Sequence, residues 1–132
     1  MFLTRETMSK FSGKDLSLVF AGGALGALLR YFISVGLEAA VGPANANVLS
    51  LFVVNIAGAT FLGWINSSEK EFRHIFWGSG FSGGFTTMSG VALFTYTQIP
   101  VLVLPSLAVM FGLGFIGYAA GNNLGRVQRG KK

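Results

Sequence analysis

The chain has 132 residues, of which 52% are hydrophobic and 11% charged, and carries a formal net charge of +5. Soluble domains run near a quarter charged, so this balance, with a mean hydropathy of +0.60, points to a membrane protein. The absence of cysteine excludes disulfides and cysteinyl metal sites, one histidine and five acids leave little for enzymatic acid–base chemistry, and basic residues clustered at segment ends do not make a nucleic-acid face.

Residues 1–14 spread their charges and have no apolar core, so they read as a polar tail and not as a secretory leader. Four apolar segments follow, over about 16–37, 47–66, 73–98 and 101–121, and a second polar tail covers 122–132. Each segment is near the ~20 residues that cross the hydrocarbon, and backbone groups in lipid are paired internally only in helices and closed barrels. The expected fold is therefore an all-α membrane protein: one domain over 1–132 with four transmembrane helices. The connections are short: "EAAVGPANAN", "NSSEKEFRH" and a tight turn near Pro100.

With four spans, the N-terminus, the second connection and the C-terminus share one side. Nine of the ten Lys and Arg residues fall there, and the tenth, Arg30, lies within the first span. The positive-inside rule then makes both termini cytoplasmic.

Within the first span, Gly22 and Gly26 form a GxxxG, as Gly117 and Gly121 do in the fourth. Such spacings let helix backbones approach closely in lipid, either within one bundle or between subunits. Arg30 stands about two-thirds along its span, where it either snorkels to the outer interface or faces a vestibule and attracts an anion. Asn55, in the middle of the second span, either glues two helices by hydrogen bonds or offers a pore-facing donor.

The third span contains "GFSGGFTTMSG" (80–90), with four glycines and four hydroxyls in an apolar stretch. Glycine is poor in helix interiors, so a break at mid-membrane is expected. Thr86, Thr87 and Ser89 suit the cap of a second half-helix. Unpaired backbone groups at membrane depth are tolerated where they line a cavity or hold an ion: carbonyls suit a cation and N–H groups an anion. The competing reading is a glycine-kinked helix packed against a neighbour. Thirteen phenylalanines add ring edges of positive potential that could replace part of an anion's water shell.

"GGALGALLRY" (22–31), "VNIAGATFLG" (54–63) and "GFSGGFTTMSG" together resemble the CrcB/Fluc family of fluoride channels over nearly the whole chain. The resemblance implies an antiparallel, dual-topology dimer in a bacterial cell membrane that lets fluoride ions leave the cell passively. It also implies a structural sodium ion at the dimer centre, held by backbone carbonyls that map to Gly83 and Thr86 of each subunit. The family's pore-facing asparagine maps to Asn55, its vestibule arginine to Arg30 and its fourth-span serine to Ser106, while Thr87 and Ser89 continue the polar path.

Several positions depart from that pattern. Met88 and Val91 stand where the family's TTFSTF motif has its two phenylalanines, and Gly90 replaces the threonine between them. Phe94 stands where many members carry a glutamate, and Leu51 where they carry a hydroxyl. A homodimer that inserts in both orientations needs weak Lys/Arg bias, and this chain has a strong one. The resulting expectation is one subunit of a heterodimeric channel, paired with a paralogous subunit of opposite orientation in the lipid bilayer. The rivals are a homodimeric channel with an altered pore, a non-conducting scaffold subunit, and a multidrug-type exporter, against which stands the lack of an acidic residue in any span.

Overall fold

The computed structural model describes residues 12–67, 70 and 72–130, and among these every regular element is helical. The first helix, α1 (Gly13–Val41), begins three residues before the apolar stretch because Ser12 and Asp15 form a capping box. The Ser12 hydroxyl accepts from the Lys14 N–H at 3.3 Å, and Asp15 Oδ2 accepts from the Ser12 N–H at 3.0 Å. Its C-terminus shows a correction: the stretch expected as a polar connection is a turn of one residue. Gly42 takes φ +80°, open chiefly to glycine, and donates its N–H to the Glu38 carbonyl at 3.0 Å. Pro43 then starts α2 (Pro43–Asn66) at the position where its missing N–H is harmless.

The third apolar segment is divided. Its first part, α3 (Arg73–Ser82), is a π-helix of 10 residues, running into the three-residue α4 (Gly83–Phe85). Two extended residues follow, then α5 (Met88–Thr97). The final helix, α6 (Pro100–Gly130), continues well past residue 121 through most of the stretch read as a tail. By length and apolar composition α1, α2 and α6 can each cross a membrane. Neither α3 nor α5, at 10 residues each, reaches that length alone.

Glycines set the packing. A Cβ on Gly22 would lie 2.9 Å from the Phe81 N, one on Gly26 2.8 Å from the Phe85 N, and one on Gly80 2.8 Å from the Val19 carbonyl. Gly84 in turn lies directly against the backbone of Gly23. This seam clamps α1 to α3 and α4. A second seam joins α2 to α6: Gly63 abuts Tyr118, Gly121 abuts Thr60 and Trp64, and Gly125 abuts Ser67. Both GxxxG pairs are thus used inside one chain. Between the seams Phe61, Trp77, Phe81 and Phe85 form a run of ring contacts, with centroids 5.2 Å apart for Phe61–Phe81 and 5.7 Å for Phe81–Phe85. Val54, buried behind it, packs with Phe81 and Phe85. Phe20, Phe32, Tyr96 and Phe115 are among many large apolar side chains left on the outside, as a lipid-facing or subunit-facing surface requires.

Candidate functional site

The break is made by the threonines, not by the glycines, which corrects the expectation from sequence. Gly83 is helical (φ −64°, ψ −40°), whereas Thr86 (φ −76°, ψ 164°) and Thr87 (φ −144°, ψ 117°) are extended. The glycines serve close approach to α1; the chain leaves the helix two residues later. Extended residues are viable there because side chains from other helices take up their backbone groups.

Asn55 takes two of them. Its Oδ1 accepts from the Thr87 N–H at 2.9 Å, and its Nδ2 donates to the Thr87 carbonyl at 3.3 Å and to Met110 Sδ at 3.7 Å. In an uninterrupted helix the Thr87 N–H would go to the Gly83 carbonyl, so the Asn55 bond leaves that carbonyl without its helical partner. Arg30 takes a third group: its Nη1 donates to the Thr86 carbonyl at 3.0 Å. The guanidinium is thus brought to the break itself, half-buried. Thr87 caps α5, its Oγ1 accepting from the Gly90 N–H at 3.0 Å and lying 3.1 Å from Ser89 Oγ. The Thr86 hydroxyl is turned back to the Ser82 carbonyl at 2.9 Å.

Three cavities meet at these residues. One, of about 450 Å³, runs from Arg30 and Thr87 past Ser34 and Ser50 towards Asn47 and Gln98. A second, of about 490 Å³, lies beyond the break and is lined by Ser79, Ser82, Gly83 and Thr86, with His74 and Asn66 further out. A third, of about 550 Å³, is mostly apolar and is lined by Asn55, Met88, Val91 and Met110. No acidic side chain is among the described residues lining any of the three. Among the described residues no group of three or more His, Asp or Glu side chains could hold a metal; oxygen donors at the break are backbone carbonyls and hydroxyls.

Three of the positions that depart from the family pattern fall together. Leu51, Val91 and Phe94 pack with Met110 in one buried cluster, with Val48, Phe52 and Leu107 against it. Met88, by contrast, is 70% exposed. Ser106 is half-buried on α6 and is not among the residues lining the three cavities. One feature that sequence reasoning passed over is a hydroxyl pair: Ser34 Oγ on α1 lies 2.7 Å from Ser50 Oγ on α2. Its signal was available, since Ser34 follows Arg30 by four residues and so shares its helix face.

A family model described as "CrcB-like protein, Camphor Resistance (CrcB)" matches residues 17–122. The chain is 33% identical to the "Fluoride-specific ion channel FluC 2" of Bacillus subtilis, over 89% of this chain and 95% of that protein. It is likewise 33% identical to the "Fluoride-specific ion channel FluC 2" of Corynebacterium jeikeium, over 84% of this chain and 79% of that protein. The "Fluoride-specific ion channel FluC" of Thermosipho melanesiensis is 35% identical, over 78% of this chain and 86% of that protein. No solved structure matches the chain.

Proposed function

Because the chain belongs to the CrcB-like family of membrane proteins, we propose that it is one subunit of a fluoride channel that exports fluoride passively and works with an oppositely oriented paralogous subunit. It is not read as an enzyme: its relatives are named ion channels, and the break gathers binding groups with no acid or nucleophile–base pair. The observation that carries the reading is the convergence of Arg30, Asn55 and Thr87 on a helix interruption bordered by cavities without a carboxylate. A fixed cation among neutral donors favours an anion, and hydroxyl and amide contacts are weak enough for release. In this reading α3, α4 and α5 make one crossing between α2 and α6, giving four in all, with both termini cytoplasmic in a bacterial cell membrane.

The family's sodium ion would be held here by the carbonyls of Gly83 and Thr86. Their chemistry suits a hard cation. Gly83 O has lost its helical partner, and Thr86 O retains a second lone pair beside the Arg30 bond. Two carbonyls alone would not complete a cation's shell, so in this reading a second subunit would supply further oxygens. When bound, such an ion would neutralise carbonyl charge at the centre of the dimer.

The heteromeric form is favoured by the Leu51–Val91–Phe94–Met110 cluster, which puts a buried apolar cluster where a track of ring edges and hydroxyls is expected. The Lys/Arg bias agrees with it. Fluoride efflux from liposomes tests the reading: little or none with this chain alone, robust efflux when an oppositely biased paralogue is added. Strong efflux from this chain alone would overturn the heteromer in favour of a homodimeric channel. No efflux in any combination would favour a scaffold.

A further inference from the structure

We propose that Leu51, seated over Gly90, seals a dry apolar partition between two of the cavities and so decides whether an ion can cross this chain. That the ion held back is fluoride rests on the channel reading above; the seal itself rests on packing. The two cavities follow one another along α2. The cavity of about 450 Å³ is lined by α2 residues between Ala44 and Val54, and that of about 550 Å³ by Asn55 and Ala59. The buried apolar cluster lies between them and shows a face to each. Leu51 and Phe94 line the first cavity, Val91 and Met110 the second. The wall is therefore a double layer of side chains drawn from α2, α5 and α6. At its polar edge Thr87, on the first side, is bonded to Asn55, on the second, which fastens the wall there.

Leu51 owes its position to Gly90. A Cβ on Gly90 would lie 3.1 Å from Leu51 Cδ1, so the leucine fills space that a larger residue at 90 would take. Leu51 is 5% exposed and Met110 2%, so neither layer is open to solvent. The wall is all hydrocarbon and thioether, and space enclosed by such side chains holds no water. An ion entering it would lose its hydration shell and gain no donor in exchange. Hydrophobic constrictions in channels shut by this dewetting. Leu51 is the pivotal member because its cavity also holds Ser50, Thr87 and Thr97. A hydroxyl in its place would carry that polar lining into the wall.

The chain has no cysteine, so a single thiol placed in the wall reports its wetting. Met110→Cys is made in the full chain in detergent and reacted with methyl methanethiosulfonate, a small reagent attacked by the thiolate. Apolar burial suppresses the thiolate, so M110C should react at least about a hundredfold slower than R126C, whose site is exposed. Adding Leu51→Ser should speed M110C at least about tenfold, while Leu51→Met, which keeps the wall apolar, should leave its rate within about twofold. If M110C or L51S does not fold, V91C and L51T are read by the same criteria. A wall thiol as reactive as the exposed one with Leu51 in place, or no acceleration by L51S, would overturn the seal, whatever the protein conducts. Fluoride efflux from liposomes holding this chain and its paralogous partner reads the consequence. L51S should raise that efflux about twofold, as a second path joins the first. A faster thiol with unchanged efflux would overturn the role of Leu51 in conduction and leave the channel reading intact. No efflux from any combination would overturn the channel reading, and the thiol rates alone would then decide the seal.

Discussion

Asn55 holds an interrupted backbone together with one amide, and this makes its substitutions informative. Asn55→Leu strands the Thr87 N–H and carbonyl at membrane depth, and a loss of about 2 kcal/mol is expected. Asn55→Asp keeps the acceptor but turns an oxygen towards the Thr87 carbonyl, so it should destabilise at least as much. Thermal melting in detergent measures both; a neutral Asn55→Leu would show that the amide does not hold the break. The adjacent glycines separate two roles that their letters do not. Gly84→Ala drives a methyl into the Gly23 backbone, which cannot yield as a side chain would, for an expected loss of about 1–3 kcal/mol. Gly83→Ala meets nothing within 4 Å in this chain and keeps a helical φ, so the subunit should fold normally. If Gly83 faces a second subunit, the same variant should lower the dimer fraction in cross-linking or size exclusion. At this scale the residue types of the site were legible in sequence, because glycine, hydroxyl and amide are conspicuous in an apolar run. Which glycine packs and which residue breaks the helix was not legible, since that depends on how near α1 comes.

Helix boundaries show the same limit from another side. The four apolar stretches were readable from hydropathy, but the ends of α1 and α6 were not. Hydropathy falls at Lys14 and Asn122 because lipid contact ends, whereas the helix goes on as long as caps and neighbours sustain it. For α6 the neighbours are visible: Arg129 Nη2 donates to the Trp64 carbonyl at 3.3 Å and to Ser67 Oγ, while Trp64 Nε1 donates to Gln128 Oε1 at 3.1 Å. Arg73 stacks over the Trp64 ring, 5.1 Å from its centroid. Arg129→Ala should therefore lower stability by about 1.5 kcal/mol, read as a melting shift, and leave the distant Arg30 cavity unaffected. An unchanged melt would mean that the extension of α6 merely follows the helix and does not fasten it. The π-helical winding of α3 was equally hidden. Its i, i+5 pattern is echoed by the Ser82 hydroxyl reaching the Trp77 carbonyl at 2.9 Å, a contact that no periodicity in the sequence announces.

For the whole molecule, α5 is the piece least tied to the other helices: Val91 and Phe94 are its buried residues, while Met88, Leu93 and Tyr96 face outwards. A subunit interface over this face would bring the partner's residues to the cavity lined by Asn55 and Met88. Orientation mapping with terminal reporters should find this chain in one orientation only, both ends in the cytoplasm; a mixture of orientations would sink the heteromeric assembly. Introducing phenylalanine at both altered positions (Met88→Phe with Val91→Phe) should raise efflux through the mixed dimer if the pore these residues border is impaired. Unchanged efflux would show that the side chains at these two positions do not limit conduction.

The interruption at Thr86–Thr87 also has a consequence for biogenesis. The translocon sorts segments into the bilayer one at a time by their apolar length, and α1, α2 and α6 each qualify unaided. The middle piece does not: its two halves are too short, and its exposed backbone groups find their partners on Arg30 and Asn55. Both of those residues belong to helices made earlier in synthesis. The middle piece should therefore settle late, against a template already in the membrane. Mutations at Arg30 or Asn55 would then betray themselves first as a change in yield and insertion efficiency, before any current is measured.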